Sequence, residues 1–583
     1  MDENPKPDIE NTEAPSIVPD LSPPPPPTPD TSVISESPTP DITNVEAPHP
    51  VDQEAPKPVI SPPPKNGKKK LFIWLLIVIL VAAGAFLGYK YFKNHKSQTT
   101  VNATEKAVQD VALVRYGTFE GVMNHFAPQQ DSDNVTLLVN KQIFEPLVDF
   151  REKTKLTPVL AASWTNPDDT TWVFTLQPNV KFHNGDTLTA KDVVYSYNEM
   201  KKNDSFAEQV TGTIKNVEAV GDNQVKITTN GVDPILLNRL SGLYIIDSNA
   251  VGKSDPQYGT GPYTLKEGTT PDANHIDLTA FDNWHGGHAY TRELQVTVYN
   301  DDSKSPQQLE QQASADMKAG KLDIVGFVAN DTANAAKAAG LNVVPIDDNS
   351  VYYIIPNTNM KNSPLANAKV RQAINMAIDP AALMKAIGRT GTAESQLVQQ
   401  FIPGYNSAVT RPKYDVAAAK QLLQDAGYPN GTGFTLTVFV SAEDAGKEIA
   451  RQLALAGIAV KLDIKNDVTA LQNGVNTGSF EAFYYADGSL YNDARDVFTN
   501  ELQSAYYKNP QIDKLLSESD STLDQAKRLS DLQQVSKLAM DDTAVVPLYS
   551  NIPQWVTKQS YVLPQDLLST DLGVLFYKVH LNQ

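Results

Sequence analysis

The sequence predicts an α/β fold, and three observations lead there. Beyond the N-terminal hundred residues, apolar strand patterns alternate with helical ones. One segment, Phe434 to Ile464, reads as a complete strand–helix–strand unit. About 475 residues follow the apolar run near the N-terminus, enough for roughly three units of ordinary domain size.

The first 64 residues hold 19 of the 40 prolines, with 12 acidic and 2 basic side chains. Ser22-Pro23-Pro24-Pro25-Pro26-Pro27 typifies a segment too poor in apolar side chains to offset the entropy of folding. A disordered spacer of polyproline II character is expected for 1–64. Lys68-Lys69-Lys70 then precedes Leu71 to Tyr89, nineteen residues that span about 28 Å as a helix, close to a bilayer core. Residues 65–92 therefore read as a basic flank and one transmembrane helix, and 93–107 as a linker. The lysines before and after the span favour a cytoplasmic N-terminus and an extracellular remainder. A cleaved leader fits poorly, because more than sixty residues precede the apolar run. The chain has no cysteine, so it forms no disulfide and carries no lipid at a lipobox; a retained helix would serve as tether instead.

Further along, Thr171 to Leu176 alternates as a half-buried strand, Asn184-Gly185-Asp186 is turn chemistry, and Thr189 with Asp192 opens a helix as a capping pair. Val370, Ile374 and Ile378 share one apolar helix face, and Asp379-Pro380 starts the next helix. Asp415 caps a helix that ends at Gly427. Phe434 to Val440 is a strand, Lys447 to Ala456 a helix, and Ile458 to Ile464 a strand parallel to the first. After a short helix around Val468 to Val475, Phe480 to Tyr485 makes a third strand. Ala486-Asp487-Gly488 is placed just beyond its carboxyl end, where open α/β sheets bind ligands.

Charge and motifs exclude several functions. The formal charge is −19, and the region after residue 96 has 40 basic against 56 acidic side chains, which disfavours nucleic acid as a partner. No P-loop, Gly-x-Ser-x-Gly elbow, His-Glu-x-x-His or EF-hand loop occurs, and no enzyme activity or cofactor is expected. His285 and His288 flank Gly286-Gly287, but a surface turn explains them better than a metal, and no metal site is expected. His183 reads as a structural hydrogen-bonding residue. Arg371 reads as part of a structural or solvated ion pair.

Several segments occur in an order that resembles the family 5 extracellular solute-binding proteins, the peptide and nickel receptors of ABC importers. They are Leu160-Ala161-Ala162-Ser163-Trp164, Phe182-His183-Asn184-Gly185, Thr189-Ala190-Lys191-Asp192-Val193, Thr260-Gly261-Pro262-Tyr263 and Asp282-Asn283-Trp284 with Gly286-Gly287. Val370-Arg371-Gln372-Ala373-Ile374, Ala377-Ile378-Asp379, Ala426-Gly427-Tyr428 and Pro547-Leu548-Tyr549 continue the match. Coverage runs from about Val111 to the end.

The resemblance implies two lobes in the class II periplasmic-binding-protein arrangement, with a hinge and an extra small domain. The expected division is lobe I at 108–149, 241–352 and 546–583, a small domain at 150–240, and lobe II at 353–545. It implies capture of a peptide or other small solute by lobe closure and delivery to ABC permease subunits. A same-fold receptor for a chelated metal, sugar or signal molecule, with no partnered importer, is the alternative. Five ligand-binding residues are implied. Asp487 would hold a peptide's α-ammonium, against the reading of an ordinary turn Asp before Gly488. Tyr484 and Tyr485 point to opposite sheet faces, so at most one is core and the other could wall the cleft. Asn357 and Tyr549 would contact ligand from the hinge side, against the readings of a turn polar residue and a buried aromatic. Six residues before Asp487, where some relatives carry a base for the ligand carboxylate, stands Glu481; this puts recognition of a short peptide's C-terminus in doubt.

Overall fold

The computed structural model describes residues 108–582 except 120–127, 130–133, 153–154, 203–204, 251–257, 269–273, 302, 347 and 564–574. The proline-rich tail, the apolar run Leu71 to Tyr89 and the linker to 107 lie outside the described residues. Among those described, no helix is long and apolar enough to cross a membrane.

Three sheets organise the rest. A seven-stranded sheet runs in the order Asn342–Pro345, Gln554–Thr557, Ile324–Val328, Val114–Thr118, Glu293–Val298, His275–Ala280, Tyr263–Leu265. One face carries helix Asn134–Ile143 and buries Tyr116, Trp284, Trp555 and Phe576; the other carries helices Pro306–Lys318 and Asn330–Ala338. A four-stranded antiparallel sheet, Ala161–Asp168, Thr171–Leu176, Gln224–Thr229, Ile214–Val220, packs on helix Ala190–Met200. Thr171–Leu176 alternates half-buried and buried side chains, with Trp172, Phe174 and Leu176 inward, the period-two pattern of a sheet covered on one face.

The six-stranded sheet follows the order Gly391–Ala393, Val546–Asn551, Ser350–Pro356, Ala482–Gly488, Thr432–Phe439, Ile458–Lys465. Strand Thr432–Phe439, helix Glu443–Leu455 and strand Ile458–Lys465 form the expected crossover unit, with the two strands parallel neighbours over eight register pairs. Gly457 follows the helix at φ 85°, a left-handed turn that a side chain would resist. Helices Ala368–Ala377, Pro380–Ala386, Val416–Asp425 and Glu443–Leu455 cover one face, and Ala494–Leu502, Pro510–Asp520 and Gln525–Asp541 the other. Asp379 and Asp415 accept hydrogen bonds from the first-turn amides of their helices.

The chain passes between the seven- and six-stranded sheets twice, between Pro345 and Ser350 and between Asn551 and Gln554. The crossings lie side by side, joined where the Ile346 amide donates to the Pro553 carbonyl at 2.9 Å. The six-stranded sheet thus occupies strands from Ser350 to Asn551, wider at both ends than a lobe drawn at 353–545, because Ser350–Pro356 and Val546–Asn551 pair with each other there. Two short neighbouring links join the packed bodies, the connectivity that hinge closure uses where it occurs.

Candidate ligand-binding site

Two of the ordered motif segments, those holding Thr260 and Trp284, meet at one buried carboxylate, Glu145, which is 1% exposed. Its oxygens accept from Arg151 at 3.0 Å, Trp284 Nε1 at 3.2 Å and Thr260 at 3.0 Å, and His285 Nε2 lies 2.7 Å away. Burial pushes this carboxyl up, but His285 and Arg151 outweigh it and hold it below the ordinary range. His183 Nε2 meets the Gly261 carbonyl at 3.0 Å, and burial depresses that imidazole to about 4, so it is neutral. Asp192 closes its capping box on Thr189 and accepts from Ser248 at 2.6 Å. His288 pairs with Asp110 at 2.8 Å. These histidines are structural, and among the described residues no group of three metal-ligating side chains gathers. Arg371 donates to the carbonyls of Thr543 and Leu365 and pairs with Asp542 at 2.8 Å.

The hinge end of the six-stranded sheet is chemically different. Strand Ala482–Gly488 reaches past Tyr485, because it pairs antiparallel with Ser350–Pro356 in a register that sets Asp487 opposite Val351 and Gly488 opposite Ser350. Asp487 is therefore a strand residue beside the hinge crossing rather than part of a loop beyond the strand. Its carboxylate accepts from the Gly488 amide at 2.9 Å and, at 3.5 Å, meets Asn500 Nδ2.

On the same sheet face lies Glu501, 4% exposed, accepting from the hydroxyls of Tyr353 at 3.0 Å and Tyr506 at 2.8 Å. Burial and then the charge of Asp487 push Glu501 up to about 8. Asp496 is pushed up to about 7 by burial, Asp493 and Asp487, and burial raises Asp487 itself. Several buried carboxylates elsewhere have cations: Glu145 has Arg151, Asp323 has Arg115, and Asp493 has Arg528 in a pair 1% and 4% exposed, whereas Glu394 has, among the described residues, only the Ser550 hydroxyl. Among the described residues no lysine or arginine forms an ion pair with Asp487, Glu501 or Asp496. Burial and mutual repulsion thus favour the protonated forms of these three acids, and a cation brought beside Asp487 would favour the charged form instead.

The sequence-derived residues separate by sheet face and by sheet end. Tyr485, 43% exposed, shares the face of Asp487 and stacks on Phe483 at 5.4 Å. Tyr484 and Tyr549 turn the other way, into the core, their hydroxyls 2.7 Å apart and each ring stacked on Tyr352. Asn357 stands at the end of the sheet remote from the hinge, where its amide donates to the carbonyls of Gly478 at 2.7 Å and Phe480 at 3.0 Å. The structure thus brings Asp487 and Tyr485 together and gives Tyr484, Tyr549 and Asn357 internal partners instead. Glu481 also lies at the remote end, accepting from Ser363 and the Thr435 amide, so its sign carries no information about a carboxylate near Asp487. Glu501, Asp496 and Tyr353 escaped sequence reading. Glu501 left one signal, as the lone acid among Ala494, Val497, Phe498 and Leu502 on the buried face of helix Ala494–Leu502.

Two α/β bodies on a double crossing, with a small sheet attached, have the fold of the class II periplasmic binding proteins. The chain belongs to the bacterial extracellular solute-binding proteins, family 5, whose middle-region model matches residues 155–509. It is 29% identical over 368 residues to Heme-binding protein A of Haemophilus influenzae, covering 57% of this chain and 65% of that protein. It is 24% identical over 526 residues to the oligopeptide-binding protein AppA of Bacillus subtilis, covering 83% and 94%. The structure of the periplasmic binding protein DppA from Helicobacter pylori in complex with the peptide STSA aligns with TM-score 0.65 at 21% identity, over 82% of this chain and 99% of that one. As a member of this family the chain is a solute-binding protein of ABC importers and not an enzyme.

Proposed function

We propose that this receptor captures peptides through their free amino terminus and passes them to the permease subunits of an ABC importer. The observation that carries the reading is Asp487, a carboxylate at the hinge end of its sheet beside two further acids and without an ion-pair partner among the described residues. An ammonium would supply the missing charge, and a charge-assisted hydrogen bond of this kind contributes roughly 1.5–3 kcal/mol. Tyr485 would give an aromatic wall beside it, tolerant of side-chain identity. The relatives that bind oligopeptides and the structure holding STSA support this choice. Heme- and nickel-binding relatives make a non-peptide ligand the competing outcome.

The receptor is proposed to stand outside the cell on the helix Leu71 to Tyr89, with its N-terminus in the cytoplasm. The apolar length of that run and the lack of any cysteine for lipid attachment support the tether.

The test is recovery of bound peptides from a free-amine library by the full-length chain, read by mass spectrometry. Enrichment of free-amine over N-acetylated peptides is expected. A chain that retains no peptide but is raised in melting temperature by heme or a nickel chelate would overturn the peptide reading.

A further inference from the structure

The loop that follows Asp487 touches three bodies at once. Asn349, in the first hinge crossing, donates to the Ser489 carbonyl at 2.7 Å. Asp496 holds the loop from below, accepting from the Leu490 amide at 2.7 Å, the Tyr491 amide at 3.3 Å and the Ser489 hydroxyl at 3.1 Å. Asn492 takes φ 51°, a left-handed turn that Asn tolerates, and Asp493 then caps helix Ala494–Leu502.

The third body is the small sheet. Helix Leu236–Leu240 packs in its core and presents two polar side chains to the loop. Asn238 Nδ2 donates to the Tyr491 carbonyl at 2.8 Å, and the Arg239 guanidinium lies 5.2 Å from the centre of the Tyr491 ring, which is 5% exposed. Arg239 is held in place by the buried Asp233 at 3.4 Å and by the Gln209 carbonyl at 2.6 Å. Leu523, from the six-stranded body, also packs against the core of the small sheet. Each side of the contact is therefore fixed by its own body before the two meet, so ordering it costs little entropy.

We propose that Asn238, Arg239 and Tyr491 form the closing latch of the receptor, with Asp496 as the positioning residue that shapes the latch loop. The loop begins directly after Asp487 and Gly488, so filling the site at Asp487 and fastening the small sheet act on one rigid segment. Charges facing the latch are Asp233 and Arg239 from the small sheet and Asp496 and Arg495 from the six-stranded body. This rests on the two-lobed receptor reading and not on what the ligand is.

The full-length chain contains no cysteine, so Asp169→Cys and Lys514→Cys place one label on each exposed side without further changes. Distances between the labels, measured by pulsed electron resonance without added ligand, report the closed and open populations. Asn238→Ala with Arg239→Ala is expected to lower the closed-to-open ratio about five- to tenfold, the loss of one hydrogen bond and one cation–π contact. Lys226→Ala, which removes an exposed pair with Glu218 on the small sheet outside the latch, is expected to leave the distribution as it was. Asp496→Asn loses acceptor strength on the loop and is expected to shift the ratio in the same direction as the double variant, by a smaller factor. A double variant whose distance distribution matches the parent overturns the latch. Because no peptide is added, a failed peptide screen leaves this outcome fully readable.

Discussion

Tyr353 donates its hydroxyl to Glu501 across 3.0 Å inside the six-stranded body, on the sheet face that also carries Asp487. With Tyr506 on its other oxygen, Glu501 keeps its hydrogen bonds but has no cation beside it among the described residues.

A pH signature follows. Glu501 is raised from 4.5 to about 8, so the folded chain retains a proton there that the unfolded chain gives up. Its stabilising contribution is full below the ordinary carboxylate value and is lost as pH rises through about 8. His183, lowered from 6.5 to about 4, works in the opposite sense, losing its contribution as pH falls through about 4. Above pH 6.5 the carboxylates act alone of these groups, with Asp496 at about 7 adding to Glu501. Glu501→Gln is expected to reduce the fall in stability between pH 6.5 and 8, a term on the order of 1–3 kcal/mol. Melting curves across that interval decide it, and a variant with the parent's slope contradicts it.

Removing the charge at the motif junction should be far more damaging. Glu145→Gln leaves Arg151 and His285 facing a neutral amide in a buried setting, a loss of about 3–5 kcal/mol. Denaturant unfolding measures it, and a variant within about 1 kcal/mol of the parent would show that the junction does not depend on this charge.

Tyr484→Phe and Tyr549→Phe each break the buried hydroxyl pair and should cost about 1 kcal/mol, while the double variant costs little more than either, since neither hydroxyl is then stranded. Peptide affinity should stay within about twofold of the parent in all three, the hydroxyls facing away from Asp487. A tenfold affinity loss with intact stability would return these tyrosines to the site.

What could be read in the sequence were features set by local chemistry. The crossover unit from Thr432 to Lys465, the caps at Asp192, Asp379 and Asp415, and the turn at Gly185 follow from period, capping and glycine geometry. Two of the family motifs, at Thr260 and Trp284, act as scaffold by meeting Glu145, whose own importance is invisible in Ile143-Phe144-Glu145-Pro146-Leu147 without its partners at 151, 260, 284 and 285. The site was only half legible. Alternation placed Tyr484 and Tyr485 on opposite faces, but the extension of the strand to Gly488 depends on its partner at 350–356, and the remoteness of Asn357 from the hinge depends on register. The acids around Asp487 come from a helix packed over the sheet, so no local pattern marks them as one group.

On the proposed reading, Asp487 is completed by a ligand's ammonium. Calorimetric titration of the full-length parent and Asp487→Asn with a peptide taken from the library screen, in free-amine and N-acetylated forms, tests it most directly. The expected result is a ten- to hundredfold weaker free-amine affinity, roughly 1.4–2.7 kcal/mol, in the variant and less than about twofold change for the acetylated form. Equal losses for both forms, or undiminished free-amine binding in Asp487→Asn, would contradict the account.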